Sequence, residues 1–187
     1  GIRDNVDSRG LGDVYKRQGQ VCPEELNRFY LEKISNDPKA KDTFTEVFKR
    51  SALDSAIESK KRTKAGLRKG ALDGIPISVK DLADIKRKIT AGGSSITYRK
   101  KAENNAVFVD VLKSQGGIIL GKTHTVEFAL GATGLNKYKG TPKNPWDENI
   151  HRMPGGSSSG SAVAVASGLA AFAIGTDTGG SVRIPAS

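Results

Sequence analysis

The chain has 187 residues, of which 36% are hydrophobic and 6% aromatic, and its formal net charge is +10 at pH 7. This composition fits one globular domain with a polar surface, and no apolar run approaches the roughly 20 residues that span a bilayer. The single cysteine, Cys22, excludes an internal disulfide and suits a reducing compartment.

Residues 1–18 show no periodicity and mix charges with glycines. We interpret them as a non-native, adapter-like leader and assign residues 19–187 to the folded domain. The leader lacks the apolar core of a signal peptide, so we expect no export and a cytoplasmic location.

Two amphipathic helices are predicted next. Pro23 stands at a first turn, and apolar residues follow at helical spacing until about Asn36. A second helix is predicted from Thr43 to Lys60. Its apolar stripe consists of Phe44, Val47, Phe48, Leu53, Ala56 and Ile57.

Basic residues are clustered in three places. Six of them and no acid lie between Lys60 and Lys69, and two basic triplets occupy residues 86–88 and 99–101. Such clusters can attract RNA, because Lys and Arg neutralise phosphates without reading sequence. Few aromatic residues stand among them to stack bases, so we favour solvated surface charge.

The segment LDGIPISVKDLADI contains a candidate general base. Apolar and other residues alternate over residues 75–79, which predicts a half-buried strand. Lys80 follows this strand and would point away from bulk water. Burial lowers the pKa of a lysine and can make its neutral amine a base near neutral pH.

A helix and a short buried strand are predicted between residues 106 and 120. The helix face consists of Val107, Phe108, Val111 and Leu112, with Gly116 and Gly117 at its end. Ile118 to Leu120 form the strand, and this alternation predicts a sheet covered by helices.

Residues 116–123, GGIILGKT, match the phosphate-loop pattern. A phosphate loop needs a strand before it and polar, flexible residues between its glycines. Here the strand itself stands between the glycines and a helix precedes them. We therefore interpret Lys122 and Thr123 as a strand-end turn and not as a nucleotide site.

Neither of the two histidines stands in a recognisable catalytic context. His124 follows an apolar run and is interpreted as structural or solvated. His151 lies in a polar loop and is at most a substrate contact. The preceding loop contains Asn144-Pro145-Trp146, which predicts a tight turn with an apolar plug.

The C-terminal stretch, residues 154–187, has the richest pattern. Two glycines open a turn, three serines follow at residues 157–159, and a helix of small residues is predicted from Ser161 to Leu169, ending at Gly168. Ala171 to Ile174 predict a buried strand that delivers residues 175–181 to its C-terminal end, where open sheets keep their chemistry.

A serine after two glycines suits acyl transfer. The backbone N–H groups of residues 178–181 can surround an oxyanion while Ser181 presents its hydroxyl to the same carbon. Alone, this loop fits a polar, glycine-rich surface loop equally well. GSSSG at residues 156–160 matches a nucleophile elbow centred on Ser158, but no histidine follows to complete that triad.

Three motifs together resemble the amidase signature family. They are Lys80 within GIPISVKD, GGSSSGSA at residues 155–162, and GTDTGGSVRIPA at residues 175–186. The resemblance runs from about Leu72 to the last residue. It implies an α/β fold with a mixed central sheet covered by helices, of which this chain would be the N-terminal part of a single domain, incomplete at the C-terminus.

The resemblance also implies a Ser, cis-Ser, Lys triad. Ser181 would be the nucleophile, Ser157 the bridging serine after a cis peptide, and Lys80 the base. The N–H groups that would hold the oxyanion belong to Thr178, Gly179, Gly180 and Ser181. The residues that would hold the loops are Ser158, Asp177 and Arg183. Ser159 departs from the usual GGSSGGS pattern, which leaves the substrate pocket in question and not the triad.

The implied activity is hydrolysis of a carboxylic amide of a small molecule, with no metal or organic cofactor. The alternative is the A subunit of a glutamyl/aspartyl-tRNA amidotransferase, which releases ammonia from glutamine and works with partner subunits and tRNA. Allophanate hydrolase or another specialised amide hydrolase is a third possibility. A chain cut after Ser187 would leave strands unpaired, so an inactive fragment is a further alternative. Neither a membrane nor DNA is an expected partner.

Overall fold

The computed structural model of the protein describes residues 21–96, 100–147 and 149–187. The predicted leader, at residues 1–18, and Arg99 of the third basic cluster lie outside these residues. In the described part of the chain, no helix combines the length and apolarity that a bilayer crossing requires.

The first helix, α1, spans Pro23–Asn36, as the sequence predicts. Proline at its first turn loses no hydrogen bond, because the first N–H groups of a helix have no partner inside it. Glu24 and Glu25 place negative charge beside the positive end of the helix dipole. Leu26, Tyr30 and Ile34 are buried on one face, which anchors the helix to the sheet.

The predicted helix from Thr43 to Lys60 is wrong in its first part. A short helix, α2, spans Ala40–Thr43, strand β1 spans Phe44–Val47, and helix α3 spans Lys49–Lys64. Strand β1 forms because it pairs antiparallel with β3, Ile118–Thr123. This long-range pairing overrides the local helical spacing of the apolar residues.

The sheet has four strands in the order β1, β3, β2, β4. Strand β2 spans Pro76–Lys80 and β4 spans Phe172–Ile174, and β2 is parallel to both β3 and β4. The carboxyl ends of these three parallel strands therefore meet at one edge of the sheet, where ligands bind in open α/β sheets. This arrangement confirms the predicted mixed sheet with helices.

Strand β2 is buried along its whole length. The predicted half-buried strand is wrong in this respect, because β2 is a central strand with neighbours on both sides and side chains packed on both faces. Strand β4, predicted as buried, is only half-buried. It pairs on one side only, with β2, among the described residues.

Two apolar clusters cover the two faces of the sheet. Consecutive side chains of β3 point to opposite faces, so Ile118 and Leu120 enter one cluster and Ile119 the other. The first cluster contains residues of α1, α3 and helix α5, Ser159–Ala166. The second contains Ile77 and Val79 together with Val109 of helix α4, Val107–Ser114.

The predicted burial is wrong on helix α4 and at Trp146. On α4 the buried residue is Val109, whereas Val107 and Val111 of the predicted apolar face are 82% and 54% exposed. Trp146, predicted as an apolar plug, is 86% exposed. The local pattern predicts burial in both cases, but burial depends on which element packs against the segment.

Helix α5 packs unusually close to the end of β3. The Gly160 N–H donates to the His124 carbonyl at 3.0 Å. A methyl group on Gly160 would overlap the backbone nitrogen of His124 and lie 2.6 Å from the Thr43 carbonyl oxygen. Glycine at this position is therefore required by the contact between the helix and the strand.

We expect Gly160→Ala to destabilise the protein by about 1 to 3 kcal/mol or more, because rigid backbone atoms would have to move apart. The free energy of unfolding can be measured by urea denaturation. An unchanged midpoint and slope would contradict the close approach of α5 to β3.

Candidate active site

The three sequence motifs meet at the carboxyl edge of the sheet. Lys80 ends β2 and lies in register with Thr123 of β3, while Val79 pairs with Ile174 at the end of β4. The loop of residues 175–182 leaves β4 at this edge, and the serine loop enters α5 beside it. The fold therefore brings residues that are about 100 positions apart into one site.

Lys80 is 1% exposed and has two hydroxyl partners. Its Nζ donates to Ser157 Oγ at 2.8 Å and to Thr176 Oγ1 at 2.8 Å. Burial lowers the pKa of Lys80 to about 8, although the negative charge of Asp177 acts in the opposite direction. About half of the Lys80 side chains are therefore neutral at a pH of about 8.

Ser157 is fully buried, and the Gly156–Ser157 peptide bond is cis, as the resemblance implies. Its carbonyl oxygen accepts two hydrogen bonds, one from Thr125 Oγ1 at 3.0 Å and one from the Val126 N–H at 3.1 Å. Ser157 is thus held at two groups, at its hydroxyl by Lys80 and at its carbonyl by the segment after β3.

Ser158 joins the serine loop to the loop that carries Ser181. Its hydroxyl donates to the Thr176 carbonyl and accepts from the Thr176 N–H, both at 3.3 Å. Its own N–H donates to the Ser181 carbonyl at 3.0 Å. These bonds fix the spacing between the two loops.

Asp177 organises the loop around Ser181. Its carboxylate accepts from the Gly180 N–H at 2.8 Å, from the Val182 N–H at 3.0 Å and from the Arg183 N–H at 3.1 Å. The Arg183 guanidinium contributes two further bonds, at 3.1 and 3.0 Å. The Arg183 side chain and then the Val182 N–H hold the pKa of Asp177 well below its ordinary range.

The Gly180 N–H donates to the Asp177 carboxylate, whereas the hydrogen bonds found among the described residues include none donated by the N–H groups of Thr178, Gly179 and Ser181. Thr178 and Gly179 are exposed, and a methyl group on Gly179 would meet nothing within 4 Å. Among the described residues no hydrogen bond joins the hydroxyls of Ser157 and Ser181. The two serines are linked instead through the backbone of Ser158.

We expect Asp177→Asn to lower the rate of a reaction at this site by about 10- to 100-fold, the scale of a small misplacement of reacting groups. The amide loses the charge that pairs with Arg183 and half of the acceptor capacity that orders the loop. Asp147→Asn is the matched control, because Asp147 accepts from two backbone N–H groups and an arginine in a separate turn. Equal losses in both variants would contradict a local role for Asp177.

Thr176, Thr125 and Asn136 are site residues that the sequence did not single out. Thr176 is the first hydroxyl after β4 within GTDTGGS, and its position at a strand end was a usable signal. Thr125 and Asn136 stand outside the three motifs that carry the resemblance to the amidase signature family. Their contacts to the site are long-range, so no local pattern indicates them.

The phosphate-loop match does not form a phosphate site here. Lys122 is 1% exposed, and its Nζ lies 2.7 Å from Asp81 Oδ1 and donates to Ile89 O and Thr90 Oγ1. Burial raises the pKa of Asp81, while the charge of Lys122 lowers it. The lysine is thus occupied within the protein core.

The two histidines differ in their exposure to solvent. His124 is 4% exposed, and burial lowers its pKa, so its ring is neutral at pH 7. His151 is exposed. Among the described residues, neither ring is hydrogen-bonded to Ser157 or Ser181, and no group of three or more His, Cys, Asp and Glu is placed to hold a metal ion.

Half of the basic residues between Lys60 and Lys69 are in ion pairs. The pairs are Lys60 with Glu24 at 2.9 Å, Lys61 with Glu58 at 2.7 Å and Arg62 with Asp73 at 2.7 Å. This neutralisation supports the interpretation of the cluster as solvated surface charge.

Comparisons with known proteins agree on one family. The sequence profile described as Amidase matches residues 25–187. Over 118 residues the chain is 48% identical to 2-amino-5-chloromuconic acid deaminase of Comamonas testosteroni, a match that covers 63% of this chain and 26% of that protein. Over 182 residues it is 38% identical to the A subunit of glutamyl-tRNA(Gln) amidotransferase from Clostridium kluyveri (strain NBRC 12016), a match that covers 97% of this chain and 36% of that one.

Among solved structures, the native peptide amidase of Stenotrophomonas maltophilia matches with a TM-score of 0.81 and 32% identity, over 92% of this chain and 36% of that one. The chain thus spans about a third or less of the length of these three relatives. Because the profile match extends over residues 25–187, the chain belongs to the amidase family.

Proposed function

We propose that this chain carries the catalytic residues of an enzyme that hydrolyses carboxylic amide C–N bonds through a covalent acyl-enzyme. The observation that carries the proposal is the buried Lys80, whose Nζ lies 2.8 Å from the hydroxyl of Ser157. Membership of the amidase family supports it. In this proposal residues 19–187 are the N-terminal part of a single domain of a cytoplasmic enzyme.

In the first step, Ser181 Oγ attacks the amide carbonyl carbon. Its proton passes to Ser157 Oγ while the proton of Ser157 passes to the neutral amine of Lys80. This relay requires the Ser181 hydroxyl to donate to Ser157 when substrate is bound. Hydrogen bonds of this kind are commonly long in free enzymes and tighten in the complex.

The oxyanion that forms needs preorganised donors. The backbone N–H groups of Thr178, Gly179 and Ser181 fit this role, and each such donor is typically worth about 3 to 4 kcal/mol. The Gly180 N–H serves instead to fix the loop, through Asp177. Asp177 and Arg183 thus keep the donors in place without contacting the substrate.

The tetrahedral intermediate then expels the amine. Ser157 gives a proton to the leaving nitrogen and regains one from Lys80, which leaves an ester between the acyl group and Ser181. Water attacks this ester through the same relay in reverse order and releases the acid. The proposed steps use side chains, backbone N–H groups and water alone.

A second candidate function is the A subunit of a tRNA-dependent amidotransferase. The specific observation in its favour is the 38% identity to such a subunit over 97% of this chain. In that case the same triad would release ammonia from glutamine for a partner subunit that handles charged tRNA. The chemistry at Ser181 would be unchanged, and only the substrate and the fate of ammonia would differ.

Ammonia release by the full-length protein that carries this sequence tests both candidates. The panel comprises simple aliphatic and aromatic amides and glutamine. Turnover of simple amides by the protein alone would support a free-standing amidase. Turnover of glutamine only when partner subunits and charged tRNA are added would support the amidotransferase.

A further inference from the structure

We infer that Thr125 is a positioning residue for Ser157 and that Asn136 holds Thr125 in place. The inference rests on the proposed function, because it concerns the serine that relays the proton. Thr125 is fully buried, and its hydroxyl lies 3.0 Å from the Ser157 carbonyl oxygen and 3.1 Å from the Val126 carbonyl oxygen. The contact spans 32 positions of sequence.

A hydrogen bond to the Ser157 carbonyl helps to orient the Ser157 side chain. The carbonyl carbon and the side chain share one Cα, so holding the carbonyl restricts the directions in which Cβ, and with it Oγ, can leave the backbone. Lys80 then sets the remaining side-chain rotation through its 2.8 Å contact. The hydroxyl of Thr125 therefore acts on the reacting oxygen through the backbone and does not touch substrate.

Asn136 fixes the backbone of Thr125. It is 5% exposed, and its Nδ2 donates to the Thr125 carbonyl at 2.9 Å and to the Gly93 carbonyl at 2.7 Å. Its Oδ1 accepts from the Tyr138 and Lys139 N–H groups, both at 3.0 Å. All the bonds that this amide side chain can make are thus used to join three separate segments.

Removal of the Thr125 hydroxyl should change the position of Ser157 and leave the protein folded. Valine has nearly the same shape as threonine and lacks the donor. The Ser157 carbonyl would keep its bond from the Val126 N–H, so no buried acceptor is left without a partner. What is lost is one of the two hydrogen bonds that hold the Ser157 carbonyl.

The test measures reaction of Ser181 with a fluorophosphonate probe, which needs no knowledge of the natural substrate. Ser181 Oγ bonds to phosphorus, the P–F bond breaks, fluoride leaves, and the serine proton passes to Ser157. Saturation of the labelling rate gives the limiting rate constant and the half-saturating concentration separately. The proteins compared are full-length wild type, Thr125→Val, Thr125→Ser, Thr43→Val and Ser181→Ala.

We expect Thr125→Val to lower the limiting rate constant by about 10- to 100-fold with little change in half-saturation, since orientation is affected and probe contacts are not. Thr125→Ser should recover to within about 3-fold of wild type, because serine keeps the donor. Thr43→Val is the matched control: Thr43 is fully buried and its hydroxyl donates to the Lys39 carbonyl at 2.9 Å and not to Ser157. It should label at the wild-type rate.

The outcomes separate the two proposals. If Thr125→Val labels like wild type while Ser181→Ala does not label, the positioning role is overturned and the proposed function stands. Equal losses in Thr125→Val and Thr43→Val, with no recovery in Thr125→Ser, would also overturn it. If wild type does not label, or Ser181→Ala labels equally well, the proposed function fails and the inference fails with it.

Discussion

Ser181→Ala in the full-length protein is expected to lower kcat for amide hydrolysis by about 10⁴- to 10⁶-fold, the scale seen when a nucleophilic serine is removed. Alanine cannot form the ester on which the proposed mechanism depends. Ammonia release measures the rate, and the mass increase of trapped protein measures the acyl-enzyme. Both should disappear in the variant.

The fold of this variant should be unaffected. The Ser181 side chain is only partly buried, and the bond that ties this residue to Ser158 uses its carbonyl, which alanine keeps. Ser187→Ala is a control from the end of the following helix, α6, Arg183–Ala186, where the hydroxyl donates to the Ile184 carbonyl at 2.8 Å. Normal turnover by Ser181→Ala would remove the basis for the assignment of the nucleophile.

Lys80→Met is expected to lower kcat/KM by at least about 10²- to 10⁴-fold, the usual contribution of a general base. In the wild type, the base must be neutral, and its pKa is lowered to about 8. The wild-type kcat/KM should therefore rise about tenfold per pH unit below this value and level off above it. A profile that is flat between pH 6 and 9 would indicate a different base.

Lys80→Met should also show how much the burial of Lys80 lowers the free energy of unfolding. Its pKa is about 8 in the folded protein and 10.5 as a free side chain, so between these values the unfolded chain binds more protons. Wild-type stability should then rise with pH across this window, by about 3 kcal/mol relative to Lys80→Met. Urea denaturation of both proteins at several pH values gives the difference.

Lys122→Met is the matched control for this measurement, because Lys122 is equally buried on the neighbouring strand. It differs in having Asp81 as a partner at 2.7 Å. Its loss leaves a buried carboxylate unpaired and should destabilise the protein by about 3 to 5 kcal/mol. If the two lysine variants had the same stability effect at neutral pH, the contrast between a catalytic and a structural lysine would be wrong.

Local patterns predicted those parts of the fold that local contacts decide. Helix α1 has a proline start and an apolar spacing within one segment, and its bounds, Pro23–Asn36, agree with the sequence. Strand β1 was missed, because its residues also fit a helical stripe and only pairing with β3 selects the extended form. The exposed face of α4 was misjudged for a similar reason, since burial depends on which element packs against it.

The site could be predicted only in part, because some of its residues stand in local motifs and others do not. Three motifs point to Lys80, Ser157 and Ser181, and the structure brings the first two within 2.8 Å of each other. The role of Ser181 stays a prediction. The contacts of Thr125 and Asn136 depend on how three separate segments fold together, and sequence spacing does not indicate them.

The two hydroxyl partners of Lys80 also determine how the amine can change its charge. A protonated amine has three N–H groups and no acceptor, whereas a neutral one has two N–H groups and a lone pair. At 2.8 Å from both Ser157 Oγ and Thr176 Oγ1, the nitrogen can keep donating to Thr176 in either state. Only the bond to Ser157 reverses its direction, so the proton can be taken up and returned while every heavy atom around the nitrogen stays where it is.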